Sequence, residues 1–473
     1  MAEPAPPAPR AFPSGPLGLM PRSAFTRVAG ARLSRGNDVD LLIDGPANYA
    51  AWLAAIRSAG TSILFENYIF GDDDLSRTMR DALVERARAG VRVFLMRDWL
   101  GCLRESRDSF WDPLRAAGGE VRTFNALRLT RPFGWLSRDH RKVVVVDSHV
   151  GFVSGLCVSA RWLGDPAHGV APWRDTGVAV RGPAVREIAA AFADNWSSLG
   201  PALPTNLPVL NDEPRAAGDV DVRVIATSPS TAGLYRLDQL LASIAQQTLW
   251  LTDAYFVGTA PYVQSLVAAA RDGVDVRLLV PAASDLPLIG AISRAGYRSL
   301  LEAGIRVYEW RGMLHAKTAV IDRRWARVGS SNLNPASWMS NAEIDIGIEN
   351  EVFAQRMHAQ YEEDLRGATE VVLRGRRAMI GGSRVPTSRP AASSGRAATS
   401  AIRVANTVGA AVSDRRVLGA SENRILLAGA LALAGVAAVG FYQPRVLAWP
   451  LATVATWCAV SLAGRYTEAS RLR

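Results

Sequence analysis

A chain of 473 residues, 49% of them hydrophobic, is long enough for two or three domains and too apolar to be disordered throughout. Its net charge of +10 suggests nucleic acid, but residues 1–373 hold 40 basic and 41 acidic side chains, while residues 374–424 hold ten Arg against Asp414 and Glu422. A neutral body lacks the basic groove that nucleic acid needs, whereas a basic tail suits anionic lipid headgroups.

Residues 1–36 are rich in Pro, Ala and Arg and read as a disordered segment, at least to about residue 20. They contain no apolar run of signal-peptide length, which argues against secretion. The first half of the body spans 37–200. A helix is expected over Pro46–Ala59, a buried strand over Thr61–Ile69, an amphipathic helix over Asp74–Ala89 and a strand over Val91–Met96. That alternation is the βαβ rhythm of an α/β domain. Gly101–Arg138 is less regular and ends near an apolar cluster of Phe133, Trp135 and Leu136. Next comes His140–Asp147, HRKVVVVD, and a helix around Ala184–Leu199 closes the half. Residues 201–218 form a connector rich in Pro and Asn. The order then repeats over 219–375: strands at Val220–Ala226, Leu249–Tyr255, Val274–Val280 and Val307–Trp310, with helices at Leu237–Gln247, Pro261–Arg271 and Arg294–Ala303. His315–Asp322, HAKTAVID, follows. Two similar α-β-α sandwich halves related by a pseudo-two-fold axis would bring the two motifs face to face.

In each motif the residues after the Lys suit a buried strand. His140 and Lys142 then share a face, as do His315 and Lys317, while Asp147 and Asp322 fall on the opposite face and are expected to hold the strand ends. Lys142 and Lys317 are the only lysines in the chain, beside 52 arginines. Arg supplies charge everywhere else, so these two positions call for a compact point charge.

The doubled HxKxxxxD pattern resembles the phospholipase D superfamily. The second copy is followed by Gly329-Ser330-Ser331-Asn332, similar to that family's GSxN, and by Asn341 and Glu343, its NxE. Within the superfamily the chain is most similar to bacterial cardiolipin synthases, through Glu66-Asn67-Tyr68-Ile69-Phe70, Ala89-Gly90-Val91-Arg92-Val93, Trp173-Arg174-Asp175, Tyr255-Phe256-Val257 and Asp272-Gly273-Val274-Asp275-Val276. The resemblance covers roughly Asn37–Leu373. It implies phosphatidyl transfer between two phosphatidylglycerols, giving cardiolipin and glycerol. Hydrolysis or transfer to another alcohol is one alternative, and a phosphodiesterase acting on nucleic acid is another.

Two histidines and two lysines in one cavity suit a phosphodiester. The lysines would neutralise the non-bridging oxygens, one neutral His would attack phosphorus to form a phosphohistidine, and the other would protonate the leaving alcohol. No cofactor or metal is called for. The resemblance assigns His140 as nucleophile and His315 as acid/base; the residues alone do not order them. It further implies that Glu343 orients a catalytic His, that Asp175 is its first-half counterpart, and that Ser330 and Asn332 bond the phosphate or the Lys-His frame. The first half departs from the pattern at Ser154-Gly155-Leu156-Cys157, where Cys157 stands in place of Asn, and at Asp139, where Asn is usual.

Residues 376–423 read as a flexible basic linker, and 424–465 as a transmembrane hairpin. Ile425–Tyr442 and Val446–Gly464 carry no charge over 18 and 19 residues, about 27–29 Å each as helix, close to the thickness of a bilayer core. Gln443-Pro444-Arg445 would form the turn. Arg415, Arg416 and Arg424 before the hairpin and Arg465, Arg471 and Arg473 after it place both ends, and the catalytic body, on the cytoplasmic face of the inner membrane. The partners expected are that membrane and an anionic phospholipid such as phosphatidylglycerol, with nucleic acid not favoured.

Overall fold

The computed structural model describes residues 22–126, 137–212, 215–228, 232–374 and 377–380, with isolated positions between 441 and 457. The first half contributes β1 (Ser34–Ile43), β2 (Ser62–Asn67), β3 (Arg92–Asp98), β4 (Glu120–Phe124), β5 (Val143–Val146), β6 (Val150–Ser154) and β7 (Thr176–Arg181). The second contributes β8 (Val220–Thr227), β9 (Thr248–Thr252), β10 (Asp275–Pro281), β11 (Arg306–Trp310), β12 (Thr318–Ile321), β13 (Trp325–Gly329) and β14 (Glu343–Glu349). An edge hairpin follows, β15 (Ala368–Arg374) and β16 (Arg377–Ile380).

All these strands form one mixed sheet, ordered β16-β15-β11-β10-β9-β12-β13-β14-β8-β1-β7-β6-β5-β2-β3-β4. Each half runs its own first, seventh, sixth, fifth, second, third and fourth strands in that order, and the halves join where β1 pairs antiparallel with β8. The duplication seen in the motifs is thus a duplication of the whole topology, about a pseudo-two-fold between β1 and β8.

The four valines of β5 show how the sheet is covered. Val143 and Val145 enter a central core, which helices Ala184–Ser197 and Glu351–Arg366 cover across both halves. Val144 and Val146 point the other way, into a core beneath helices Asp44–Ser58 and Asp74–Arg88. Helices Gly233–Ile244, Ala260–Arg271 and Pro287–Glu302 cover the matching face of the second half. An unbroken apolar run is what a strand buried on both faces requires.

Two expectations change at the edges. Within 1–36, residues Arg22–Ala29 form a helix, and Phe25 is buried against Trp325 of the second half at a centroid distance of 6.4 Å. An amphipathic turn with one buried aromatic outweighs the polar composition around it. Of the segment read as a linker, Arg377–Ile380 form β16, paired with β15. Gly101–Arg138 contains two short helical turns, Asp108–Trp111 and Asp112–Ala116, before β4. Phe133, Trp135 and Leu136 lie outside the described residues, as does the 424–465 hairpin apart from isolated positions. No helix among the described residues is long and apolar enough to cross a membrane.

Candidate active site

The His-x-Lys triplets do not sit in the strands but immediately ahead of them, since β5 begins at Val143 and β12 at Thr318. Both are held extended by the opposite half. The His140 amide donates to the Ala342 carbonyl at 2.9 Å, and the Ala342 amide donates to the Arg138 carbonyl at 2.8 Å. On the other side the His315 amide donates to Arg174 at 2.7 Å, and the Arg174 amide donates to Met313 at 3.1 Å. Each histidine therefore hangs on a backbone bridge between the halves.

The side chains cross in the same way. Glu343, at the start of β14, holds His140 Nδ1 with carboxylate oxygens at 2.9 and 3.0 Å. Asp175, just before β7, holds His315 Nδ1 at 2.8 Å. Each half thus supplies the carboxylate that orients the other half's imidazole, which position in the chain does not reveal. Nδ1 of each ring is engaged by a carboxylate, so attack or proton transfer falls to Nε2. Both histidines line one cavity of about 110 Å³.

The two carboxylates are held differently. Glu343 accepts from Ser330 Oγ at 2.6 Å and from Asn341 Nδ2 at 3.2 Å. Ser330 therefore serves the carboxylate, and among the described residues it makes no bond to a lysine or histidine. Asp175 accepts from the Trp162 indole at 2.8 Å and from the Thr176 amide at 2.8 Å. Gly155 stands where the second half has Ser330, and the reason is space: a Cβ there would come within 2.2 Å of Asp175 Oδ1. Asn332 lies beside His140 in a small recess, and its Oδ1 has no hydrogen-bond partner among the described residues.

Aromatic rings complete the box. Tyr68 meets His140 edge-on at 4.9 Å, and its ring lies 5.4 Å from Lys142 Nζ. Trp162, Trp173 and Tyr255 surround His315 at 5.2, 5.8 and 5.9 Å. Trp162 lies in a short 3₁₀ turn with no pattern of its own, so nothing in the sequence marks it. The ammonium of Lys142 donates to the His140 carbonyl and that of Lys317 to the His315 carbonyl, which folds each lysine back over its own histidine. Lys317 Nζ also lies 2.8 and 3.0 Å from the two ring nitrogens of His315.

Burial dominates the electrostatics. It pushes His315 from 6.5 down to about 3, with Lys317 adding to the effect, so the imidazole is neutral at neutral pH. Lys317 is lowered to about 8 by burial against the pull of Asp175, and burial lowers Lys142 as well. Burial raises Glu343 to about 7. It works to raise Asp175 too, but the hydrogen-bonded His315, Lys317 and Trp162 outweigh it and keep that carboxylate below its ordinary value.

The two departures from the family pattern have structural accounts. Burial drives Asp139 far above its ordinary value, with the neighbouring Glu66 carboxyl adding to the rise. A protonated Asp presents the same donor and acceptor as the Asn it replaces. Cys157 lines the cavity, its thiol raised by burial against the pull of Lys142. Asp147 and Asp322 lie away from the cavity. Each sits in the turn after its strand with φ near +50°, at 52° and 50°. Asp147 accepts from the amides of Gly60, Thr61 and Ser62, and Asp322 from those of Gln246, Gln247 and Thr248. They tie each hairpin to the strand beside it.

A duplicated α/β sheet that brings two histidines to one cavity, each with a lysine bonded to its own carbonyl, is the architecture of the phospholipase D-like enzymes. The solved phosphatidylserine synthase of Haemophilus influenzae Rd KW20 has this fold, with a TM-score of 0.57 at 15% identity over 74% of this chain and 91% of that one. Residues 237–365 match the family model described as cardiolipin synthase, phospholipase D-like domain. The cardiolipin synthase A of Pseudomonas aeruginosa is 34% identical over 369 residues, 77% of this chain and 74% of that protein. The cardiolipin synthase of Alkalihalophilus pseudofirmus is 32% identical over 346 residues, 72% and 68% respectively. The chain belongs to the cardiolipin synthase family of the phospholipase D superfamily.

Proposed function

We propose that this enzyme moves a phosphatidyl group from one phosphatidylglycerol to a second, giving cardiolipin and glycerol. The observation that carries the reading is the crossed pair of half-sites, His140 on Glu343 and His315 on Asp175, opening on one cavity. His140 Nε2 forms the bond to phosphorus as the bond to the glycerol oxygen breaks, and His315 gives that oxygen a proton. In the second step the acceptor's hydroxyl oxygen bonds phosphorus, the N–P bond breaks, and His315 takes the hydroxyl proton. Lys142 and Lys317 hold the non-bridging oxygens, and Asn332 joins them. Burial, with Lys317 adding to it, holds His315 low, and the negative charge of a phosphodiester beside the imidazole works against both, which favours the protonated form that the first step needs.

The neutrality of His315 favours a second reading, in which it attacks and His140 handles protons. Trapping separates the two. A phosphatidyl adduct that forms in His315→Ala and is lost in His140→Ala supports the first, and the opposite result supports the second. The reaction itself is tested with the purified full chain and detergent-dispersed labelled phosphatidylglycerol. Cardiolipin and glycerol in equal amounts are expected, and phosphatidic acid without cardiolipin would count against transfer.

The tail belongs to the same reading. We propose that residues 424–465, whose two charge-free runs lie beside a basic segment, hold the body on the cytoplasmic face of the inner membrane, next to its lipid substrate.

A further inference from the structure

The reaction proposed above passes two phosphodiesters through one site, and the two lysines account for the first. The acceptor lipid also carries a phosphate, one glycerol away from the hydroxyl that reacts. It must lie outside the lysines, at the cavity mouth.

That mouth holds an Arg with a replaceable partner. Arg161 is presented by the 3₁₀ turn Ala160–Trp162, next to the indole that anchors Asp175. Its guanidinium donates to both oxygens of Glu105, at 2.8 and 2.6 Å. The pair is only part-buried, with side chains 30% and 24% exposed. From the second half, Asp285 accepts the Tyr255 hydroxyl at 2.6 Å, and its charge reaches Arg161. Arg161, Glu105, Asp285 and Tyr255 line the same cavity as both histidines. Leu103, half-exposed at 50%, gives that rim an apolar lip. A guanidinium fork held by one carboxylate can exchange it for a phosphodiester of like charge and geometry.

We infer that Arg161 is the acceptor-selecting residue. It leaves Glu105 to bind the phosphodiester of the incoming phosphatidylglycerol, while Asp285 and the Tyr255 hydroxyl take the glycerol hydroxyl that does not react. The site then favours an anionic lipid over water as the second substrate. This inference rests on the transfer reading.

The test is a partition ratio, which does not depend on the total rate. Purified full-length protein is given labelled phosphatidylglycerol in mixed micelles, and cardiolipin and phosphatidic acid are both quantified. Arg161→Gln is expected to lower the ratio of cardiolipin to phosphatidic acid at least about ten-fold, with Arg161→Lys, which keeps charge without the fork, in between. Glu105→Gln, which frees the guanidinium, is expected to raise the ratio, and it carries the test should Arg161→Gln not fold. A ratio unchanged in Arg161→Gln, or lowered in Glu105→Gln, overturns the inference while wild-type cardiolipin formation leaves the transfer reading standing. A wild-type protein that yields no cardiolipin overturns both.

Discussion

At the scale of single residues, the site is built from charges that burial opposes. Glu343 is the clearest case. Folding raises its carboxyl from 4.5 to about 7, so the native state favours the protonated form. Its stabilising contribution is fully present below pH 4.5 and is lost as pH rises through 7. Glu343→Gln does not titrate. The stability of that variant relative to the parent is therefore expected to climb between pH 4.5 and 7, by on the order of 3 kcal/mol, and then level off. Activity should fall, because an amide cannot balance a positive charge on His140. Chemical denaturation at a series of pH values reads the first effect, and a difference flat across that range would mean that burial does not set this carboxyl. The residues themselves were readable. His140, Lys142, His315 and Lys317 stand out because the chain has no other lysine. Their partners were harder to read. Glu343 and Asp175 fit a carboxylate role, but which histidine each serves depends on docking between halves, and Trp162 leaves no trace in spacing.

At the scale of elements, the strands and helices of each half follow from runs such as VVVV, which need cover on both faces. The bridges between halves do not, because they are made by polar side chains whose partners lie far away in sequence. Arg174 is one. Its guanidinium donates to both oxygens of Asp364 at 2.9 and 2.8 Å and to Asp44 at 3.3 Å, all from a buried position. Its backbone carries His315. Arg141 is another, donating to the carbonyls of Glu343, Ala191 and Thr227. Arg174→Ala leaves the buried Asp364 carboxylate without its cation. The expected cost is about 3–5 kcal/mol of unfolding free energy, read by denaturant titration. A loss below about 1 kcal/mol would place Arg174 among ordinary surface pairs. The amphipathic turn at Arg22–Ala29 was hidden for a different reason: one buried Phe25 in a polar, Pro-rich neighbourhood is too weak a pattern to see until the second half provides its pocket.

At the scale of the whole molecule, the proposed function divides catalysis and attachment along the chain. A body of near-balanced charge carries every site residue, and ten Arg lie between residues 374 and 424. A chain ended after Gly382 keeps β16 and the complete site. It is expected to leave the membrane fraction, to act on detergent-dispersed lipid and to lose most activity on intact bilayers. Pelleting through carbonate wash would instead place the anchor in the body. Each histidine is oriented from across the interface between halves, and in the proposed reaction both act at one phosphorus. Two in-line displacements at that phosphorus each invert it. The most direct measurement is therefore the stereochemical course, followed with phosphatidylglycerol made chiral at phosphorus by one non-bridging sulfur. Cardiolipin formed with retained configuration is the predicted result, through a histidine-bound phosphatidyl group. Inverted configuration would mean a single displacement by the acceptor alcohol, and would contradict a covalent role for either histidine.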